Sequence, residues 1–120
     1  MFIFCLLVNV VFYPDSRERS SIVINARVGE RVVLPCTTQN TEMVWRFQQH
    51  CFSFEYQRPL VCAERNIVQY GNQFSLRRMT GNDKSLEILS VSQEMNGIFT
   101  CEEQNGFQLY SHVQLNVYCE

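Results

Sequence analysis

From Ser20 to the end, the chain is built of short runs in which apolar and polar residues alternate, with turn residues between them. Alternation sends successive side chains to opposite faces, so each run reads as a half-buried β-strand. Ser21 to Val28 is β-rich and ends at Gly29-Glu30, and Arg31 to Thr37 places Val32, Leu34 and Cys36 on one face. After the polar turn Gln39-Asn40-Thr41, Glu42 to Gln48 sets Met43, Trp45 and Phe47 against Val44, Arg46 and Gln48. Phe52 to Tyr56 and Leu60 to Ala63 are weaker strands, separated by Arg58-Pro59. Gln73 to Arg78 aligns Phe74 with Leu76, and Gly81-Asn82-Asp83 turns the chain. Ser85 to Val91 carries Leu86 and Ile88 inward, and Ile98 to Glu103 aligns Phe99 with Cys101. Asn105-Gly106 is a strong hairpin signal, because a tight turn needs residues that tolerate positive φ. Leu109 to Tyr118 then alternates Val113, Leu115 and Val117 with His112, Gln114 and Asn116. No stretch carries a helical apolar stripe, although Ser92 to Asn96 has room for a single turn. Many strands at this spacing predict an all-β sandwich or barrel.

At 120 residues this is one domain, or one domain and a leader. Six cysteines in so short a chain point to an oxidising compartment. The metal reading needs clustered ligands; here the cysteines are far apart and His50 and His112 are the only histidines, so no metal is expected. The formal charge of −2 and scattered basic residues offer nothing to nucleic acid or an anionic lipid surface. Met1 to Tyr13 is almost wholly apolar before Pro14-Asp15-Ser16-Arg17. The run is too short for a membrane helix and fits the apolar core of a signal peptide over residues 1–16. The competing reading is a first β-strand, and unbroken hydrophobicity favours the leader. No later segment reaches the length of a membrane helix, so any membrane attachment needs an anchor beyond this sequence.

Cys36 on an inward face, Trp45 nine residues later on the next strand, and Cys101 after an interval of 65 form a pattern. With Val32-Val33-Leu34-Pro35-Cys36, Val44-Trp45-Arg46-Phe47-Gln48, Ser85-Leu86-Glu87-Ile88 and Gly97-Ile98-Phe99-Thr100-Cys101, it resembles the immunoglobulin superfamily, over Ser20 to Tyr118. The long interval resembles variable-type domains. The resemblance implies a V-type β-sandwich of two antiparallel sheets over residues 20–118, with residues 119–120 at the start of a stalk or at the chain's end. It implies a Cys36–Cys101 disulfide across the sheets, with Trp45 packed beside it and Phe99, Leu34, Leu86 and Ile88 in the core. Two departures stand out. Phe99 lacks the hydroxyl of the family's tyrosine corner, and Met95 stands where an acidic residue is usual. The Gly-x-Gly bulge of rearranged antigen receptors is also missing, with Phe107-Gln108-Leu109-Tyr110-Ser111 in its place, and the loop at Asn105-Gly106 is short, which argues against such a receptor.

Cys51 and Cys62 are eleven residues apart, a separation suited to a bond across the hairpin of the middle strands. Such a bond reads equally as a stiffened binding edge or as a plain staple. Cys119 is the odd cysteine of the mature chain, which suggests a bond to a second chain and a homodimer. The alternative is a thiol exposed at the chain's end.

No catalytic site emerges. His50 and Cys51 are adjacent and therefore point to opposite faces of a strand, and no Gly-x-Ser-x-Gly elbow exists. No cofactor is expected. The expected function is non-catalytic recognition of an extracellular or cell-surface protein, as a receptor or ligand of immune type. The alternatives are a homophilic or structural adhesion module and a secreted decoy binder. In V-type domains the docking face is the outer side of the sheet that here carries Val44, Arg46, Gln48, Ile98, Thr100, Glu102, His112 and Gln114. Phe107 and Tyr110 flank its hairpin. Arg46, Phe107 and Tyr110 are the expected anchors, since aromatic and Arg side chains dominate interface energetics.

Overall fold

The computed structural model describes residues 21–53, 58–66, 74–76 and 84–119, with backbone alone from residue 51 to residue 76. The segment read as a leader lies outside these residues. Among the described residues, eight strands form two sheets. β1 (Ile22–Arg27), β8 (Leu109–Tyr118), β7 (Gly97–Glu103), β3 (Met43–Ser53) and β4 (Arg58–Asn66) make a five-stranded sheet in that order. β2 (Val32–Leu34), β6 (Leu86–Ile88) and β5 (Phe74–Leu76) make the second.

Alternation becomes packing in the way the sequence predicts. Val32 and Leu34 of β2 face Ile88 and Leu86 of β6 in register, and all four are buried. Trp45 and Phe47 of β3 lie opposite Cys101 and Phe99 of β7. The rings of Phe47 and Phe99 stack at 4.3 Å, both fully buried. Cys36 and Cys101 are disulfide-bonded across the sheets, with Cα atoms 6.3 Å apart. Trp45 is buried nearby and donates its indole N–H to the carbonyl of Lys84 at 2.9 Å. That bond satisfies the one polar atom of an otherwise apolar ring.

β1 runs parallel to β8, from Ile22 opposite Val113 to Arg27 opposite Tyr118. The chain then leaves this sheet through a turn at Gly29, where φ is 94°. Gly29 donates to the Val91 carbonyl at 2.8 Å and Val91 donates to Glu30 at 2.9 Å, so the crossover is tied to the loop after β6.

Two strand boundaries differ from expectation. β3 continues to Ser53, and Arg58-Pro59, expected to separate strands, lies inside β4 with Pro59 opposite Phe52. Proline supplies no N–H, so it belongs on a strand paired along one side, and β4 is the last strand of its sheet among the described residues. The ladder skips Cys62, since Gln49 faces Ala63 and His50 faces Val61. Cys62 is therefore the extra residue of a bulge, while Cys51 faces Leu60. The Cys51–Cys62 bond remains an expectation, because both side chains lie outside the described residues. Cys119 is disulfide-bonded, and the bond to a second chain expected for it remains an expectation.

Met95, at the end of a 3-10 turn (Gln93–Met95), is buried in the core. An acidic residue there would have faced a hydrocarbon interior. The stitching expected of a tyrosine comes instead from Asn96. Its amide oxygen accepts the N–H of Val117 at 2.7 Å, and its amide nitrogen donates to the carbonyls of Gln93 at 2.9 Å and Val117 at 3.3 Å. Its backbone carbonyl accepts from His50 at 2.9 Å, so one residue joins β3, the 3-10 turn and β8.

Candidate binding face

The outer face of the large sheet is set by register. Arg46, Thr100 and His112 form one row across β3, β7 and β8, and Gln48, Ile98 and Gln114 form the next. Val44 faces Glu102. Each of these residues alternates with an inward one, so the sequence assignment to one face holds in the backbone.

Burial departs from the expectation. Ile98, Thr100, Glu102 and His112 are buried, at 6%, 9%, 3% and 5% exposure. Val44, Arg46, Gln48 and Gln114 are intermediate. Ile98 and Thr100 therefore do not present open surface in this structure, and what the face offers comes from Val44, Arg46 and Gln48 of β3 and Gln114 of β8. Period-two reasoning says on which side of a sheet a residue points, and says nothing about what else in the chain covers that side.

Charge on this face is also organised differently. Arg46 pairs with the carboxylate of Glu102 and donates to the carbonyl of Gln104 at 3.3 Å. A buried carboxylate needs a cationic partner, so Arg46 has a structural task, and its removal would strand Glu102. Sequence reasoning placed both residues on the face without pairing them; their diagonal spacing across adjacent strands was the available signal.

The hairpin joining β7 to β8 is built from the turn chemistry of its residues. Gly106 adopts φ 81°, as the turn requires, and donates to the Glu103 carbonyl at 2.7 Å. Glu103 donates to Gln108 at 2.8 Å, Gln104 donates to Glu42 at 2.9 Å, and Phe107 donates to the side-chain oxygen of Asn105 at 3.0 Å. These bonds, with Arg46 on Gln104, fix a loop whose tip carries Phe107 at 84% exposure. Tyr110 is different: it packs against the core cluster, and its hydroxyl accepts from Asn40 at 2.7 Å. It braces the loop before β3 more than it reaches solvent.

Among the described residues nothing resembles a reaction centre. Ser111 donates to the Pro35 carbonyl at 2.7 Å, an ordinary structural bond. No group of acidic, His or Cys side chains among the described residues could hold a metal ion. Burial pushes the His50 imidazole down to about 4, so it is neutral at physiological pH. No helix among the described residues is long and apolar enough to cross a membrane.

The two sheets, their strand order and the disulfide beside a buried Trp define a variable-type immunoglobulin sandwich. Residues 19–118 match the immunoglobulin V-set domain family, and the chain belongs to it. The family is one of non-enzymatic domains. No curated protein matches the sequence. Among solved structures, the chain is similar to the extracellular fragment with stalk of novel immune-type receptor 11 from Ictalurus punctatus. The identity is 16%, over 83% of this chain and 86% of that one, with a TM-score of 0.59. It is also similar to a chain of the ZIG-8 IG1 homodimer, at 17% identity over 87% and 88% of the two chains, with a TM-score of 0.55. A third similarity is to the voltage-gated sodium channel beta4 subunit extracellular domain, described as a parallel homodimer with a role in cell–cell adhesion. There the identity is 16% over 92% and 98%, with a TM-score of 0.51. Identities this low speak for the shared fold alone.

Proposed function

We propose that this domain is a non-catalytic, extracellular protein-binding module, the recognition domain of an immune-type receptor or ligand. The observation that carries the reading is Phe107, which stands 84% exposed on a hairpin fixed by its own hydrogen bonds. A large apolar ring held out in water gains by burial against a partner, and a pre-ordered loop loses little entropy on binding. Val44, Arg46 and Gln48 lie along β3 on the outer face of the sheet that carries this hairpin. The Cys36–Cys101 bond suits an oxidising, extracellular setting.

The test is a screen of the purified domain against cell-surface proteins, followed by Phe107→Ala. Loss of an aromatic anchor should weaken binding about tenfold or more, with thermal stability unchanged. Full binding by the variant would overturn the reading. Arg46→Ala is a poorer probe than the sequence suggests, because it leaves the buried Glu102 carboxylate without this cationic partner. Homophilic adhesion is the second reading, favoured by the homodimers among the structural neighbours. It requires concentration-dependent self-association that Phe107→Ala abolishes.

A further inference from the structure

The chain contains two Asn-Gly dipeptides, Asn96-Gly97 and Asn105-Gly106. In this sequence context the glycine nitrogen can attack the preceding side-chain amide, because no Cβ hinders its approach. The fold treats the two sites in opposite ways.

At Asn96 both ends of the amide are held. The oxygen accepts from Val117, and the nitrogen donates to Gln93 and Val117. Gly97 is buried within β7, in register with Gln49 and Leu115, and a Cβ there would sit 2.1 Å from the Gln48 carbonyl oxygen. Neither the amide nor the attacking nitrogen can move without opening the sheet.

At Asn105 the side chain is exposed at the tip of the hairpin. Nothing lies within 4 Å of a Cβ built on Gly106, so the backbone has room to swing. The Phe107 N–H already donates to the Asn105 amide oxygen at 3.0 Å. That oxygen is the one on which negative charge develops when the amide carbon is attacked, so the donor is in place to stabilise it. The Gly106 nitrogen is held by its bond to the Glu103 carbonyl, within a loop tip where local opening is cheap.

We propose that Asn105 is a site of spontaneous succinimide formation and deamidation, and that Asn96 is shielded from the same reaction by the fold. The Gly106 backbone nitrogen bonds to the Asn105 side-chain carbonyl carbon, and the bond from that carbon to the amide nitrogen breaks. The Gly106 proton leaves with the amide as ammonia. Water then adds across one or other imide bond, giving aspartate, or isoaspartate with the backbone rerouted through the side chain. No oxidant or enzyme is needed. The product carries a carboxylate next to Phe107, and the formal net charge passes from −2 to −3. The reaction is independent of whether Phe107 anchors a partner.

The test is incubation of the folded, disulfide-intact chain at neutral and mildly alkaline pH, read by isoelectric focusing and peptide mapping with an isoaspartate-specific label. One acidic charge variant should accumulate, faster at the higher pH. Conversion at residue 105 should exceed that at residue 96 by about tenfold or more, since residue 96 reacts only after opening. After reduction and denaturation the two sites should convert at similar rates. Asn105→Gln, which closes a ring poorly and leaves an exposed amide in place, should remove the variant while retaining the fold. Equal conversion at both sites in the folded chain, or an intact residue 105 there, would overturn the proposal.

Discussion

Replacing Asn96 by Ala tests the claim that this side chain does the stitching that a tyrosine hydroxyl does elsewhere in the family. The substitution removes the acceptor of the Val117 N–H, which lies 2.7 Å from the amide oxygen on a residue only 4% exposed. A buried donor left without an acceptor costs about 1–3 kcal/mol. The carbonyls of Gln93 and Val117 lose a donor as well, but at 2.9 and 3.3 Å and in part-buried positions they contribute less. Together the loss should be roughly 2–3 kcal/mol, a large share of the stability of a domain this size. For about a hundred residues each kcal/mol shifts Tm by about 4–8 °C, so a fall of roughly 10–20 °C is expected. Urea unfolding should give the same loss as a lower midpoint with an unchanged slope. The control is Asn116→Ala, whose side chain donates to Asn25 at 3.1 Å in an exposed bond and accepts from the Gln114 side chain at 3.2 Å, both bonds being to side chains. It should change stability by no more than about 0.5 kcal/mol. If the two variants fall by the same small amount, Asn96 does not hold the corner and the reasoning fails.

Gly97→Ala places a Cβ 2.1 Å from the Gln48 carbonyl oxygen at a φ of +154°, so soluble folded protein should not be recovered, as judged by circular dichroism and gel filtration. Removing the Cys36–Cys101 bond by a double Ala substitution frees a loop of 65 residues, and calorimetry should show a loss of about 4 kcal/mol. Burial holds His50 at about 4 in the fold against 6.5 in the unfolded chain, so between these values the unfolded state binds the extra proton. That contribution is fully present above about pH 6.5 and is lost as pH falls toward 4. Because the ring is only half-buried and solvent screens it, the contribution should amount to about 1 kcal/mol, and His50→Gln should remove it from the pH dependence of Tm.

Strand placement was legible because alternation and turn residues are local signals. β8 ends where alternation ends, and the hairpin turns at Asn105-Gly106 as its dipeptide requires. The Cys–Trp–Cys pattern carried the long-range pairing, which no local signal could have supplied. The misreadings share a cause. Arg58-Pro59 looked like a break because proline interrupts a central strand, whereas among the described residues β4 is paired along one side only. Ile98 and Thr100 looked open because their phase is opposite to that of Cys101, but burial depends on the whole tertiary environment. Asn96 was read only as the end of a possible single turn, since its side-chain partner on β8 lies 21 residues away.

The parallel pairing of β1 with β8 has a mechanical consequence. A tension applied between the start of β1 and the end of β8 pulls the two strands along their length in opposite directions. The six residue pairs from Ile22–Val113 to Arg27–Tyr118 then bear the load side by side, in shear, and must give way nearly together. An antiparallel hairpin loaded at its open end unzips one bond at a time and yields more easily. Once the seam fails, the Cys36–Cys101 bond, which spans a sequence separation of 65, keeps the chain between its cysteines from extending. The sandwich is thus stiff along the line joining these two strand ends, and its extension is capped by a covalent stop.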